Sequence, residues 1–228
     1  MLIMFMLVSC DTETDTAPIT SDTDVTNVDE SGNTTIDQDA LSDALNQIPT
    51  GELSVVEAEG ILYMREEEKL AWDVYLTLYE KWQTAIFQNI ANSEKTHTDA
   101  VKTLIDRYVL EDPAAGKGIG VFTNPTLQNL YDQLVEEGNQ SLASALSVGA
   151  AIEEIDILDL EERIAQTDKE DIKMVYENLM KGSRNHLRSF VSTLKKQVGE
   201  TYQPQYLSQA AYDAIVSTPI EKGNGVGK

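Results

Sequence analysis

A glutamate and a histidine three residues apart, Glu94 and His97, have the types and spacing of a metal-binding pair. On a helix, this spacing places both side chains on the same face. That face is otherwise apolar, with Ile90, Val101 and Leu104 at helical intervals. A buried carboxylate and a buried imidazole need partners, because burying unpaired polar groups is costly. A metal ion would satisfy both groups, so the pair predicts a metal site inside a helical core.

Three other segments carry a carboxylate or an imidazole in the middle of an apolar helical stripe. The candidate metal ligands are Glu68, Glu94, His97, Glu153, Asp156 and His186. Both histidines of the chain belong to this set. Carboxylates with imidazole and without thiolate suit iron or manganese, and suit zinc less specifically. Glu154 remains an alternative to Glu153, because a small helical twist at Gly149 would exchange the two.

Four long amphipathic helices are predicted to position these residues, over about 54–81, 85–108, 125–166 and 167–198. The third is expected to be interrupted near Gly138. A turn at Gln83 and Thr84 is short enough to join the first two helices as an antiparallel hairpin. Segment 110–124 contains Pro113 and three glycines, which exclude regular helix, and it can cross to the second hairpin. No strand is predicted.

Local signals mark where these helices begin. Capping-box patterns are expected at the first and fourth helices, at Ser54 with Glu57 and at Thr167 with Glu170. Asn124 followed by Pro125 is typical of a helix start. Glu66 and Glu67 lie off the apolar stripe that carries Glu68, so we expect their side chains to be solvated.

The ligand pattern resembles that of ferritin-like di-iron carboxylate proteins, in which two helices each provide a glutamate and two provide Glu-x-x-His. A fuller resemblance is to the DUF2202 family, bacterial ferritin-like proteins of undefined function. It covers about residues 53–198, and the matching stretches are EEEKLA at 66–71, SExxH at 93–97, VGAAIEExD at 148–156 and GSxNHLR at 182–188. The resemblance implies an all-α, ferritin-like four-helix bundle: two antiparallel hairpins joined by a long crossover. It also implies a dinuclear centre of two iron ions, or of manganese, bridged by glutamates.

One position departs from the ferritin pattern. Ser183 stands three residues before His186, where that pattern has a glutamate. Asp156, one turn after Glu153, could supply the missing carboxylate. Alternatively, Gly182 and Ser183 leave a gap that water or a small ligand could fill. Candidates to orient the histidines by hydrogen bonds are Tyr75, Asp159 and Asn185.

The resemblance implies a metal-dependent oxidoreductase that acts with dioxygen or peroxide, as a ferroxidase or a peroxidase-like enzyme. Two alternatives stay open. One is a non-enzymatic lipoprotein that binds or scavenges metal, and the other is a structural bundle with a polar core. Redox activity separates the enzyme from the scavenger, and metal content separates the scavenger from the structural bundle.

The N-terminus predicts export and anchoring. Residues 1–10, MLIMFMLVSC, resemble a bacterial lipoprotein signal that ends at a lipidated Cys10, which would tether the protein to a membrane of the cell envelope. Residues 11–50 are acidic and predicted to be a disordered tether. The bundle is expected over 51–199, and 200–228 form a tail with one short helix. A net charge of −22 excludes a general nucleic-acid role. A second copy of the chain, forming a homodimer, is a candidate partner.

Overall fold

The computed structural model describes residues 25–222. Within this range the protein is mostly helical, with seven helices and one two-stranded sheet. The elements are β1 (Thr26–Val28), β2 (Thr34–Ile36), α1 (Gln38–Leu45), α2 (Val55–Trp82), α3 (Ala85–Arg107), α4 (Pro125–Gly138), α5 (Leu142–Ala165), α6 (Glu170–Gln197) and α7 (Gln209–Val216). The prediction of a helical protein is confirmed, whereas the expectation of no strand is wrong.

Four long helices pack around the centre of the protein. α2 packs against α3, α5 packs against α6, and contacts of α2 with α5 and of α3 with α6 join the two pairs. α2 and α3 are separated only by Gln83 and Thr84, so they run antiparallel. Gln83 makes the reversal in a left-handed conformation, with φ of 51°. No helix between residues 25 and 222 is long and apolar enough to cross a membrane.

The buried apolar residues form two clusters that lie at different levels along these helices. The first cluster includes Tyr75, Phe87 and Phe190, and the second includes Met64, Leu104 and Leu179. On each of α2, α3 and α6 the chain passes from one cluster to the other. The candidate ligands of these helices lie between the residues that belong to the first cluster and those that belong to the second, so they form a polar layer between two apolar layers.

The helix starts agree with the sequence in two cases out of three. Ser54 and Glu57 form the predicted capping box of α2, and Asn124 caps α4 with Pro125 at the first position. The predicted capping box of α6 is wrong. Thr167 instead donates its hydroxyl hydrogen to Glu57 Oε1 at 2.6 Å, and Lys169 occupies the N-cap without a side-chain bond.

The third predicted helix is two helices, α4 and α5, separated by residues 139–141. Gly138 lies against α2: its carbonyl accepts from Trp82 Nε1 at 2.9 Å, and an added Cβ would lie 3.2 Å from Leu78 Cδ1. This close approach favours glycine where the chain turns.

Residues 108–124 form the crossover, and polar side chains of α2 hold it. Glu66 accepts from the backbone N–H groups of Thr123 and Asn124, and Asp73 accepts from that of Gly120 at 2.8 Å. The expectation that Glu66 is solvated is therefore wrong. A carboxylate can be buried here because the backbone donors at the start of α4 satisfy it.

The predicted disordered tether over 11–50 is wrong for residues 25–50. β1 and β2 pair as an antiparallel hairpin, and α1 follows directly. Val25, Ile36 and Leu41 are buried and join the second apolar cluster, because the acidic residues between them project elsewhere. The signal at 1–10 and residues 11–24 lie outside the described residues, as do 223–228 of the tail.

Candidate metal centre

Glu94 lies between the two histidines of the chain. Its Oε2 is 2.9 Å from Nδ1 of His97, and its Oε1 is 2.8 Å from Nδ1 of His186. Glu94 and His97 come from one face of α3, as their spacing predicts, and His186 comes from α6. The two imidazole rings are stacked, with centroids 5.4 Å apart and planes inclined by 18°.

One further glutamate stands beside each histidine. Oε2 of Glu68, from α2, is 3.5 Å from Nδ1 of His97, and Oε2 of Glu153, from α5, is 3.6 Å from Nδ1 of His186. Each Nδ1 thus faces Glu94 and one other carboxylate. All five side chains are at least 97% buried. The structure therefore brings together five of the six predicted residues, one or two from each long helix.

Several polar atoms of this group have no hydrogen-bond partner. Within residues 25–222, Nδ1 of His97, Nδ1 of His186 and Oε1 of Glu68 make no hydrogen bond. The histidine nitrogens lie 2.8–3.6 Å from carboxylate oxygens and contact them as ion pairs. Buried polar atoms without partners are rare and costly. Imidazole nitrogens and carboxylate oxygens left in this state fit a cation such as iron or manganese.

The charges of the group strongly perturb one another. Burial favours the neutral form of Glu94, but the positive charges of His97 and His186 outweigh it, so the pKa of Glu94 lies well below its usual range. Burial lowers the pKa of an imidazole, yet Glu94 and Glu68 raise the pKa of His97 well above its usual range. Glu94 and Glu153 raise the pKa of His186 to about 9.

The two outer glutamates, Glu68 and Glu153, each have one histidine beside them, whereas Glu94 has two. Burial raises the pKa of Glu68 to about 7, although His97 opposes the shift. Burial and the charge of Glu94 raise the pKa of Glu153 to about 7, although His186 opposes it. Protons therefore compensate the carboxylates of the metal-free centre, and a cation could replace them.

Asp156, the sixth predicted residue, lies beside this group and accepts a hydrogen bond from Ser183 Oγ through Oδ2. Its Oδ1 has no hydrogen-bond partner among the described residues. Burial and then the charge of Glu68 raise its pKa well above the usual range. Asp156 thus places a fourth carboxyl near the centre, where it could serve a cation on the Glu68 side.

Protein atoms occupy the space beside Gly182. A Cβ added to Gly182 would lie 2.8 Å from Nε2 of His97 and would overlap the ring edge. The His97 imidazole therefore occupies the space that the missing side chain leaves, and Ser183 is bonded to Asp156. The structure thus gives the space beside Gly182 to His97 rather than to the water or small ligand of the alternative.

Gly182→Ala tests this close approach. Glycine to alanine inside a helix ordinarily stabilises by about 1 kcal/mol, but here the methyl group must displace the His97 ring. We expect metal affinity to fall about tenfold, as for loss of a group that orients a ligand, measured by titration with Mn²⁺. Gly60→Ala is the matched control, because the nearest atom to its Cβ would be Cδ of the flexible Arg163 side chain at 3.2 Å, and the Tyr176 hydroxyl at 3.7 Å is in ordinary contact. Equal affinities of the two variants would contradict the prediction.

The backbone of Thr34 contacts the outer nitrogens of both histidines, a contact that is not among the sequence-based predictions. Its carbonyl accepts from Nε2 of His97 at 2.8 Å, and its N–H points at Nε2 of His186 at 3.4 Å. Nδ1 of each ring is thereby turned towards the carboxylates. The available signal was Ser31-Gly32-Asn33, a turn pattern beside a short β-branched run.

Among the predicted orienting residues, Tyr75 reaches the centre directly. Its hydroxyl donates to Glu153 Oε1 at 2.5 Å. Asn185 contacts Thr34 Oγ1 at 3.0 Å rather than a histidine, and Asp159 lies beside Tyr63 and Glu67.

The remaining glutamates of the two motifs have different places. Glu154 faces away from the histidines and accepts from three backbone N–H groups of the tail, at residues 205–207. Geometry therefore separates it from Glu153. Glu67 was expected to be solvated, and that expectation is wrong. It is buried, and burial and then the charges of Asp156 and Asp159 raise its pKa well above the usual range.

Comparisons with known proteins give a family and relatives. Residues 57–219 match the family model described as an uncharacterized protein domain, DUF2202. The chain is 55% identical over 179 residues to the uncharacterized protein MJ0754 of Methanocaldococcus jannaschii, across 78% of this chain and 96% of that protein. It is similar to the crystal structure of hypothetical protein MJ0754 from Methanococcus jannaschii DSM 2661, at 56% identity and a TM-score of 0.74, over 76% of this chain and 99% of the other. None of these descriptions states an activity.

Proposed function

The chain belongs to the DUF2202 family, an uncharacterized domain, and from its site we propose a metal-binding protein with a dinuclear iron or manganese centre. The proposed ligands are Glu68, Glu94, His97, Glu153 and His186, with Asp156 as a further carboxylate. We assign the four long helices to a ferritin-like four-helix bundle. The pairing of α2 with α3 and of α5 with α6 supports that assignment.

One observation carries the proposal. Glu94 places one oxygen within 3 Å of Nδ1 of each histidine, and neither nitrogen has a hydrogen-bond partner among the described residues. A carboxylate between two such nitrogens, with another carboxylate on each outer side, provides donors that would hold a cation beside each histidine. In a purely structural core, we would expect these nitrogens and oxygens to be satisfied by hydrogen bonds to neighbouring groups.

The donor chemistry favours iron or manganese. Three or four carboxylates and two imidazoles, without thiolate, suit these metals more specifically than zinc. Iron or manganese held there would supply one-electron chemistry with dioxygen or peroxide. The protein's own contribution is to hold the ligands, through Tyr75 on Glu153 and Ser183 on Asp156, and to exclude water by burying all of them.

Burial of the site restricts the reactants. Each proposed ligand is at most 6% exposed, which favours dioxygen, peroxide or the metal itself over any larger substrate. We therefore favour a ferroxidase or peroxidase-like oxidoreductase. A scavenger that holds metal without redox turnover is the alternative, because the same buried donors would also retain an ion.

Metal content is the first measurement. We expect about two iron or manganese ions per chain in protein purified without chelator or nickel resin, measured by inductively coupled plasma mass spectrometry. Consumption of dioxygen or peroxide by the ferrous protein, faster than by free ferrous ion, would support the oxidoreductase.

The outcomes of that measurement separate the alternatives. Two ions without redox turnover would leave the scavenger. No metal after anaerobic loading with Fe²⁺ or Mn²⁺ would contradict both and leave a structural bundle with a polar core.

We also propose that Cys10 anchors the protein to a membrane of a bacterial cell envelope. The support is the sequence Leu7-Val8-Ser9-Cys10 alone, since these residues lie outside the described range.

A further inference from the structure

We propose that the Thr34 peptide unit positions both histidines and makes the two halves of the metal centre unequal, so that the first cation binds beside His97. Thr34 lies in the N-terminal hairpin, outside residues 57–219 that the family model matches. The inference rests on the proposed metal centre and concerns the order in which it fills.

Thr34 reaches the centre from outside the four long helices. It is fully buried in β2, and the two groups of its backbone face the stacked imidazoles of α3 and α6. Its pairing with Val28 leaves these groups free to point away from β1. The hairpin thus supplies the contact on the side of the rings away from the carboxylates.

The carbonyl prepares His97 to bind a cation. An oxygen accepts only from a protonated nitrogen, so the 2.8 Å contact places a proton on Nε2 of His97. In the neutral ring the lone pair then lies on Nδ1, which faces Glu68 and Glu94. A backbone carbonyl that holds the outer N–H of a histidine fixes both its tautomer and its ring orientation.

The backbone N–H of Thr34 disfavours a proton on Nε2 of His186, whereas the carbonyl favours one on Nε2 of His97. The N–H of Thr34 points at Nε2 of His186, so this nitrogen is offered a donor and no acceptor. If Nδ1 of His186 bound a cation, the remaining proton of the neutral ring would sit on Nε2, against another N–H. A cation beside His186 would therefore leave the Nε2–H of that ring against the Thr34 N–H, whereas a cation beside His97 would keep the hydrogen bond to the Thr34 carbonyl.

Several contacts keep the Thr34 peptide in place. Asn185 donates to Thr34 Oγ1 at 3.0 Å, and Thr96 Oγ1 accepts from the Ile36 N–H at 2.9 Å. Gly32 turns the hairpin with φ of 86°, and a Cβ there would lie 2.5 Å from Ser189 Oγ. A side chain at residue 32 would therefore push the hairpin away from α6 and take Thr34 with it.

The test follows both rings during titration of the ¹⁵N-labelled full chain with Zn²⁺, a diamagnetic probe. Because the chain has two histidines, long-range ¹H–¹⁵N spectra contain four ring nitrogens, assigned with His97→Gln and His186→Gln. We expect the first equivalent to shift Nδ1 of His97 and keep its Nε2 proton. The second equivalent should shift His186.

Gly32→Ala tests whether the hairpin causes this order. We expect the first Zn²⁺ to bind at least about tenfold more weakly and both rings to shift together. Gly116→Ala is the matched control, because Gly116 also has a left-handed φ, of 71°, but no atom within 4 Å of its Cβ. It should retain the affinity and the order of the unaltered chain.

The outcomes distinguish this inference from the metal centre itself. If both rings of the unaltered chain shift with the first equivalent, or if Gly32→Ala keeps the order, Thr34 does not make the halves unequal, and the inference is overturned while the metal centre stands. If Zn²⁺ shifts neither ring, the proposed metal centre fails, and this inference fails with it.

Discussion

Glu94→Gln is expected to reduce bound metal from about two ions per chain to well below one. Among the described residues, Glu94 is the carboxylate that lies within 3 Å of Nδ1 of both histidines. Glutamine keeps the size of the side chain but loses the charge and one acceptor oxygen. Both cation positions should therefore lose a ligand at once, measured as metal content after equilibrium dialysis against Fe²⁺ or Mn²⁺.

Glu154→Gln is the matched control for this loss. Glu154 is also a buried glutamate, but its carboxylate accepts from three backbone N–H groups of the tail. The amide oxygen of glutamine can still accept from these donors, so we expect the variant to fold and keep both ions. Similar metal loss in the two variants would mean that the centre lies elsewhere or that the loss reflects general destabilisation.

Metal-free protein should lose thermal stability between pH 5 and pH 9, whereas loaded protein should not. The pKa values of Glu68 and Glu153 are raised to about 7, mainly by burial. The pKa of His186 is raised to about 9, because Glu94 and Glu153 outweigh its burial. Each group binds its proton more tightly in the folded state than in the unfolded chain. The stabilisation is complete below the unfolded pKa and disappears as the pH rises through the folded pKa.

The size of the effect follows from these values. The two glutamates should contribute mainly between pH 5 and 7, and His186 between pH 6.5 and 9. A difference of one in a pKa is worth about 1.4 kcal/mol, so we expect the unfolding midpoint to fall by at least about 4 °C, followed by circular dichroism. In loaded protein the cation replaces the protons, and its affinity rises with pH. A metal-free midpoint that stays constant from pH 5 to 9 would show that these groups do not bind protons more tightly in the folded protein than in the unfolded chain.

The comparison of loaded and metal-free protein also measures the binding itself. A cation present at about a hundred times its dissociation constant adds roughly 2.7 kcal/mol to the free energy of unfolding. The difference in midpoint should therefore be largest at pH 9, where the metal-free centre has lost its protons. Glu94→Gln should abolish the difference.

Sequence alone predicts the long helices and the apolar stripe on each. The helical repeat fixes directions within one element, so Glu94 and His97 had to share a face, and Glu68 had to lie on the apolar stripe of α2. Local capping patterns also located the starts of α2 and α4. These features depend on residues a few positions apart, which the sequence displays directly.

Other features depend on which elements meet. The sequence predicts solvated side chains for Glu66 and Glu67 and leaves Glu154 as an alternative to Glu153. All three side chains are buried. The crossover and the tail supply backbone donors to Glu66 and Glu154, and no local pattern predicts donors that lie 58 and 51 positions away in the chain. The charges of Asp156 and Asp159, which lie on a different helix, raise the pKa of Glu67, and no local pattern predicts this effect either.

The N-terminal hairpin gives the clearest case of a feature that tertiary structure decides. Its composition is acidic and polar, which locally predicts disorder. Val25 and Ile36 nevertheless reach the second cluster, and Thr34 meets His186 from a distance of 152 positions in the chain. The sequence determined the types of the proposed ligands and the helix faces that carry them, because both are local. The pairing of Glu94 with both histidines, and the peptide group behind the two rings, were decided only when the separate elements packed together.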